Sequence, residues 1–366
     1  MPEAIATLST GVDIAYDTHG DPAGRPLLLV MGLGGPLIWW DVEFCDQLVA
    51  RNFYVIRFDN RDVGRSTLFE NRGGSRRQVV QAFLGDRRHA AYSMADLADD
   101  GFALLDHLGI DAAHLVGASM GGMIVQTMAL ACPERALSLT SIMSSTGRRS
   151  VGWQDPRLIR LLLARRATTI DEYLVNSQRL WRAIGSPAYP TDLPANRGRA
   201  VETFDRGISA AGVTRQTLAI LGQPDRTAAL RRLNIPALVI HGLADRMVHP
   251  SGGRATAAAI PGAELLLIPG MGHDLPVEIW PTIIEAIGRT ADRAGLPPPL
   301  AEQPVGELQP ALGRHQHEEL VERVAEVADE VPDVRDQFPT GDQADVERAV
   351  VGEAGDVESA AQFRHG

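Results

Sequence analysis

The stretch that decides the fold reads His114-Leu115-Val116-Gly117-Ala118-Ser119-Met120-Gly121-Gly122. A short apolar run leads into a serine with glycines two residues before and after it, and a helix-compatible run over residues 123–131 follows. Glycine lacks a Cβ, so it fits where a strand and a helix approach closely on either side of a strained turn. The pattern predicts a strand, a sharp turn and a helix that together present Ser119 as a nucleophile.

Apolar runs that read as strands occur before and after this unit, separated mostly by helical patterns. They cover residues 26–31, 53–58, 113–116, 136–144, 235–242 and 263–268. Continuous apolar runs are typical of parallel strands that are buried on both faces. Rough alternation over residues 5–16 indicates an antiparallel hairpin at one sheet edge. The sequence therefore predicts an α/β fold with a doubly wound, mostly parallel sheet.

Residues 147–222 interrupt this rhythm, because their pattern is helical throughout. Helices are expected over residues 156–167, 169–184 and roughly 200–221. The simplest interpretation is a helical cap over the carboxyl ends of the strands, where such sheets bind ligands. The alternative is a set of extra helices packed on a sheet face without contact to a site. The predicted core then comprises residues 1–146 and 223–294.

The net charge of -11 is concentrated at one end of the chain. Residues 1–295 contain 30 arginines and 30 acidic residues, whereas residues 296–366 contain 5 arginines and 16 acidic residues. The neutral main body gives no support for nucleic-acid binding. Residues 295–366 read as an acidic tail, with one possible amphipathic helix in an otherwise disordered segment.

Other features of composition exclude several classes of protein. No apolar run is long enough to span a membrane, and no secretory signal is visible, so a cytoplasmic protein is expected. The chain has no lysine, which excludes lysine-based covalent chemistry. Cys45 and Cys132 are expected to be buried free thiols. Neither a metal site nor a cofactor is predicted.

Three residues follow predicted strands directly: Ser119, Asp245 and His273. Loops after parallel strands share one edge of the sheet, so these residues can converge. A serine hydroxyl is a weak nucleophile near neutral pH, so His273 would accept its proton and return it to the leaving group. Asp245 would orient the imidazole and stabilise its positive charge. Asp274 is a poorer candidate for the acid, because it is the immediate neighbour of His273.

A negative oxygen that forms during attack on a carbonyl needs hydrogen-bond donors already in place. The backbone N–H of Met120, just after the nucleophile, is one candidate. The second is the N–H of Leu33, in the glycine-rich loop after the strand at residues 26–31. This loop is not a dinucleotide-binding motif, because Leu37 stands where the third glycine should be.

Aromatic residues near these loops could line an apolar pocket, although such residues also fill cores. The candidates are Trp39, Trp40, Trp153 and Trp181. The polar loop at residues 59–66 is predicted to be architectural, with charges that pair locally.

The chain resembles the α/β-hydrolase superfamily. The resemblance rests on the glycine-rich loop at residues 30–34, the polar loop at 59–66, the serine motif at 117–122, and the stretches 241–245 and 269–273, in that order. Within the superfamily, the chain is similar to bacterial serine esterases of the aclacinomycin methylesterase and mycobacterial lipase/esterase type. Met31-Gly32 stands where many members have His-Gly, but the donor is a backbone group. The resemblance does not extend to residues 296–366.

The sequence thus predicts hydrolysis of a small, apolar carboxylic ester through an acyl-serine intermediate. Ser119 argues against dehalogenases and epoxide hydrolases of this superfamily, which use aspartate at this position. A cofactor-free perhydrolase stays open, as does thioesterase activity. A hydrolase-fold receptor or interaction protein is the alternative from another class.

Overall fold

The computed structural model of the chain describes residues 2–69, 75–84, 86, 90–158, 161, 167, 169–189 and 193–294. The acidic tail at residues 295–366, with its predicted helix, lies outside the described residues. The described chain contains eight strands: β1 Ala4–Thr7, β2 Asp13–His19, β3 Arg25–Val30, β4 Phe53–Phe58, β5 Ala113–Ala118, β6 Ala136–Ile142, β7 Ala237–Gly242 and β8 Glu264–Ile268.

All eight strands form one sheet in the order β1-β2-β4-β3-β5-β6-β7-β8. Strand β2 pairs antiparallel with β1 and β4. The other six strands, in the order β4-β3-β5-β6-β7-β8, are mutually parallel. This topology confirms the predicted edge hairpin and mostly parallel sheet. It also places the chain after β3, β5, β7 and β8 at one edge of the sheet.

Ten α-helices are described: α1 Val42–Val49, α2 Arg76–Phe83, α3 Met94–His107, α4 Met120–Ala131, α5 Ile170–Ile184, α6 Leu193–Arg206, α7 Ala210–Gly222, α8 Thr227–Leu230, α9 Ser251–Ala259 and α10 Trp280–Asp292. Four short 3-10 helices accompany them, at Leu37–Trp39, Pro133–Arg135, Pro156–Leu158 and Val277–Ile279. Within the described residues, no helix is long and apolar enough to cross a membrane.

Alternate side chains of the central strands enter two separate cores. Leu28 and Val30 of β3 pack with residues of α3 and α4 on one face. Leu27 and Leu29 pack with residues of α1 and α10 on the other. Burial on both faces explains why these strands are continuous apolar runs rather than alternating ones. Both cysteines are free, as predicted, but only Cys45 is buried, whereas Cys132 is half-buried.

The helices between β6 and β7 differ in detail from the prediction. The single helix expected over roughly residues 200–221 is two helices, α6 and α7. Gly207 separates them with φ +112°, a backbone conformation that suits glycine, and the Ser209 side chain caps α7 by accepting from the Gly212 N–H. Most of the helix predicted over residues 156–167 lies outside the described residues. We call α5, α6 and α7 the cap helices.

Candidate active site

The three predicted catalytic side chains meet at the carboxyl edge of the sheet. Ser119 follows β5, Asp245 follows β7 and His273 follows β8. His273 Nε2 lies 2.9 Å from Ser119 Oγ, and His273 Nδ1 lies 2.8 Å from Asp245 Oδ2. The three side chains thus form a continuous hydrogen-bond chain, although Asp245 and His273 lie 126 and 154 positions after Ser119 in the sequence.

Ser119 occupies a strained turn, with φ +57° and ψ -118°. Its N–H donates to the carbonyl of Ile142 on β6 at 2.9 Å, which fixes the turn against the sheet. A Cβ on Gly117 would lie 2.2 Å from the Gly121 carbonyl oxygen, and one on Gly121 would lie 2.0 Å from that of Val30. Both glycines of the motif are therefore required by backbone packing, and this packing holds the strained turn in place.

The Asp245 carboxylate is buried and fully satisfied by donors. Its Oδ1 accepts from the backbone N–H groups of Met247 at 2.8 Å and Val248 at 2.9 Å. Burial alone would raise the pKa of Asp245, but the charge of His273 and hydrogen bonds from His241 and His273 outweigh it and hold the pKa well below its usual range. An ionised carboxylate only accepts, so His273 Nδ1 carries a proton and Nε2 is free to accept from Ser119.

His241 is a second imidazole beside the same carboxylate. Its Nε2 lies 2.8 Å from the Val248 carbonyl oxygen and 3.3 Å from Asp245 Oδ2. The ring is completely buried at the end of β7. His241 is thus a buried, hydrogen-bonded histidine, and its contact with Asp245 was not predicted from the sequence.

The loop that carries His273 packs against the end of cap helix α5. The His273 N–H donates to the Ile184 carbonyl at 2.7 Å, and the Gly272 N–H donates to Ser186 Oγ at 2.8 Å. The Ser186 hydroxyl donates in turn to Asp274. Asp274 therefore binds Ser186 while Asp245 binds His273, which agrees with the choice of acid from the sequence.

The glycine-rich loop after β3 lies directly beside Ser119. A Cβ built on Gly32 would be 3.0 Å from Ser119 Cβ. Among the described residues, no protein acceptor bonds to the Leu33 N–H. Met120 is the first residue of α4, so its N–H has no acceptor within that helix. Neither N–H thus has a protein acceptor among the described residues, and their role as oxyanion donors stays a prediction.

The polar loop at residues 59–66 anchors the cap helices. Asp59 accepts from Arg206 of α6 at 2.8 Å, and Asp62 accepts from both Nε and Nη2 of Arg215 of α7 at 2.8 and 2.7 Å. The predicted architectural role is consistent with these contacts. The expectation that these charges pair locally was wrong for both aspartates, because their partners lie more than 140 positions away.

Two of the four candidate tryptophans meet. The rings of Trp39 and Trp181 pack edge to face with centroids 5.4 Å apart, and Trp39 Nε1 donates to Thr203 Oγ1 at 3.0 Å. This pair joins the segment after the glycine-rich loop to cap helices α5 and α6. Its role as a pocket wall stays a prediction.

The other two tryptophans lie elsewhere. Trp40 is only 1% exposed and stacks on Phe44 in the core between the sheet, α1 and α10. Its assignment to a pocket was wrong, because its ring is buried in this core. Trp153 stacks on His249, beside the loop that carries Asp245, with centroids 4.1 Å apart.

Several residues that shape the site were missed in the sequence. Arg206, Arg215 and Gln216 of the cap helices carry no motif, and each bonds to loops far away along the chain. No spacing within the sequence could have identified them. The one signal that the sequence offers for such residues is a polar or charged side chain on the otherwise apolar face of a predicted cap helix.

The chain is similar to known proteins. A family profile described as the alpha/beta hydrolase fold matches residues 25–278. Rhodomycin D methylesterase DnrP of Streptomyces peucetius is 32% identical over 312 residues, which is 78% of this chain and 97% of the relative. Rhodomycin D methylesterase DauP of Streptomyces sp. (strain C5) is 31% identical over 293 residues, which is 73% of this chain and 91% of the relative.

A solved structure agrees with the fold. A hydrolase from Pseudomonas aeruginosa PA01 superposes with a TM-score of 0.60 at 24% sequence identity, over 79% of this chain and 98% of the other. At this level of identity the likeness concerns the fold alone.

Proposed function

The chain belongs to the α/β-hydrolase family, and from that premise we propose that it cleaves a carboxylic ester through an acyl intermediate on Ser119. The observation that carries the proposal is the hydrogen-bond chain from Ser119 through His273 to Asp245, at 2.9 and 2.8 Å. Two relatives at 31% and 32% identity, each matched over most of its length, are named as methylesterases, which supports an ester as substrate.

In the acylation step, Ser119 Oγ attacks the ester carbonyl carbon while His273 Nε2 takes the hydroxyl proton. The negative oxygen of the tetrahedral intermediate accepts from the N–H groups of Leu33 and Met120. Asp245 stabilises the imidazolium through the hydrogen bond to Nδ1. The intermediate then collapses, the bond to the alcohol oxygen breaks, and His273 gives that oxygen its proton.

Deacylation repeats these steps with water in place of the serine hydroxyl. His273 removes a proton from water, the resulting oxygen attacks the acyl carbon, and the same two N–H groups bind the negative oxygen. Collapse breaks the bond to Ser119 Oγ, which regains its proton from His273. The products are a carboxylic acid and an alcohol.

We propose a methyl ester of an apolar acid as the substrate class. The methyl ester comes from the names of the two relatives. An apolar acid would suit the Trp39–Trp181 pair, which joins the loop beside Ser119 to the cap helices. The leaving alcohol is then methanol, which is readily measured.

The test is turnover of a set of methyl esters by the full chain, followed as methanol and acid released. Ser119→Ala should abolish turnover. Asp245→Asn should lower kcat by about 10⁴-fold, because the imidazole loses the partner that fixes its tautomer. A p-nitrophenyl ester series of increasing acyl length would then define the acyl specificity.

The alternative functions predict different results in parallel assays. Peracid formation from acetate and peroxide that exceeds ester cleavage would favour a perhydrolase, and preferential cleavage of acyl thioesters would favour a thioesterase. Ser119 that reacts with a probe but supports negligible turnover of any ester would favour a receptor.

From the sequence, we also propose a cytoplasmic location, no requirement for a cofactor, no nucleic-acid binding, and a cap that begins at residue 147 and ends at residue 222.

A further inference from the structure

The loop at residues 31–37, which we call the oxyanion loop, is held by side chains at several points. Asn60 Nδ2 donates to the Met31 carbonyl at 3.0 Å, before the predicted donor. Asp59 Oδ1 accepts from the Leu37 N–H at 2.7 Å, after it. Both of these side chains belong to the loop that directly follows β4, and neither belongs to the cap helices.

A third side chain comes from cap helix α7. Gln216 Oε1 accepts from the Gly34 N–H at 2.8 Å, and Gln216 Nε2 donates to the Arg61 carbonyl at 2.9 Å. The two partners are a donor and an acceptor, so they fix the orientation of the amide. Gln216 is completely buried. It therefore bridges the oxyanion loop and the polar loop at residues 59–66 without exchange with solvent.

The contact at Gly34 is close as well as directional. Gly34 has φ +65°, and a Cβ there would lie 2.8 Å from Val213 Cγ2, one turn before Gln216 on α7. The helix thus packs on the backbone of the residue that follows Leu33. Loss of the Gln216 bond would leave the Gly34 N–H without this acceptor and would remove one of the contacts that hold the Leu33–Gly34 segment.

We propose that Gln216 is a positioning residue through which cap helix α7 sets the direction of the Leu33 N–H in the oxyanion hole. The inference rests on the proposed function, because it assigns Gln216 a part in stabilising the negative oxygen. Its consequence is that the cap contributes to the rate of the chemical step as well as to substrate binding.

The test compares Gln216→Met, which keeps the side-chain length but removes both hydrogen bonds, with wild type. A donor that is misplaced in the transition state lowers kcat, and we expect a loss of about tenfold or more. The KM for the same ester should stay within about twofold, because the ground-state carbonyl depends little on this donor. Gln216→Asn, which keeps the amide but shortens the side chain, is the second variant to use if Gln216→Met does not fold, and its kcat should lie between those of wild type and Gln216→Met.

A transition-state analogue separates positioning from a general structural effect. A trifluoromethyl ketone forms a hemiketal with Ser119 whose negative oxygen occupies the oxyanion hole. Its inhibition constant should rise in parallel with the fall in kcat for each Gln216 variant.

The matched control is Gln223→Leu. Gln223 is another buried glutamine, directly after α7, but it bonds to Arg226 and to the Met123 sulfur instead of the oxyanion loop. This variant should lose thermal stability yet keep kcat and analogue affinity within about twofold of wild type.

Equal kcat and analogue affinity in wild type and a folded Gln216 variant would overturn the inference while leaving the proposed function intact. Parallel losses in the Gln216 and Gln223 variants would also overturn it. A wild-type protein that neither hydrolyses esters nor binds the ketone would refute the proposed function and the inference together.

Discussion

The glycines next to Ser119 show how single residues determine this site. At Gly121, the position of a Cβ lies 2.0 Å from the Val30 carbonyl oxygen, and backbone atoms cannot move aside as a flexible side chain can. The serine itself has φ +57°, which is a strained conformation for a residue with a side chain. The turn is therefore possible only because Gly117 and Gly121 have no Cβ that would clash with the backbone.

Gly121→Ala is accordingly expected to lower the free energy of unfolding by about 3 kcal/mol or more and to abolish ester turnover. Denaturant titration of wild type and variant measures the first effect. The control is Gly198→Ala on α6, where a Cβ would meet nothing within 4 Å. This substitution should raise the free energy of unfolding by about 0.5–1 kcal/mol, because alanine favours a helix more than glycine does. If Gly121→Ala were as stable as wild type, the described packing of the turn would be wrong.

At this scale the sequence was most informative. The G-x-S-x-G pattern has a steric cause, so Ser119 could be identified from residue types alone. Asp245 and His273 followed from their positions after strands. The contact of His241 with Asp245 could not be predicted, because it depends on how the loop to Val248 folds back over β7.

The attachment of helix α7 depends on a buried ion pair. The Arg215 guanidinium binds both oxygens of Asp62, and the two side chains are 2% and 0% exposed. Tyr92 and the Phe69 N–H also donate to this carboxylate. Removing the arginine would leave a buried charge with only neutral partners.

We expect Arg215→Met to lower the free energy of unfolding by about 3–5 kcal/mol. The double variant Asp62→Asn/Arg215→Met should lose less than the single one, because no charge is left uncompensated. Denaturant titration of the two variants gives both values. A double variant that is less stable than Arg215→Met would contradict this account of the anchor.

Helices were predicted less well than strands. Helix α2 at Arg76–Phe83 was not predicted, although Ser75 and Gln78 form a capping box. Its segment is rich in arginine, and the helix packs against α7, which the sequence does not reveal. Helix α3 begins with the same type of box, at Ser93 and Asp96, and there a long apolar periodicity follows the box.

The stability of the whole molecule should depend on pH through a histidine in the middle of the sheet. His114 of β5 is buried, and its Nδ1 lies 2.9 Å from Ser138 Oγ on β6. Burial, and then the charge of Arg25, lower the pKa of His114 from 6.5 to about 4. Between pH 6.5 and about 4, His114 is therefore neutral in the folded protein and protonated in the unfolded chain.

Because the unfolded state binds more protons between pH 6.5 and about 4, the His114 contribution to stability is lost as the pH falls through this window. The loss amounts to at most about 3 kcal/mol. His114→Gln should remove this part of the pH dependence in thermal unfolding from pH 7 to 4. His107→Gln, at an exposed position, should keep the wild-type dependence; an unchanged slope in His114→Gln would contradict the assignment.

For the whole molecule, the sequence predicted the sheet and the edge where the site lies, because buried parallel strands have a distinctive apolar pattern. It did not predict that the cap helices bind the polar loop at residues 59–66. Asp59 and Arg206 lie 147 positions apart, and their pairing depends on tertiary packing that leaves no local pattern.

The most direct test of the central claim is mass spectrometry of the full chain after reaction with a fluorophosphonate probe. We expect one adduct, on Ser119, and none in Ser119→Ala. Labelling should be lost in His273→Ala, because no other group lies within hydrogen-bond distance to take the serine proton among the described residues. An unlabelled wild-type protein, or an adduct on another residue, would contradict the assignment of Ser119 as the nucleophile.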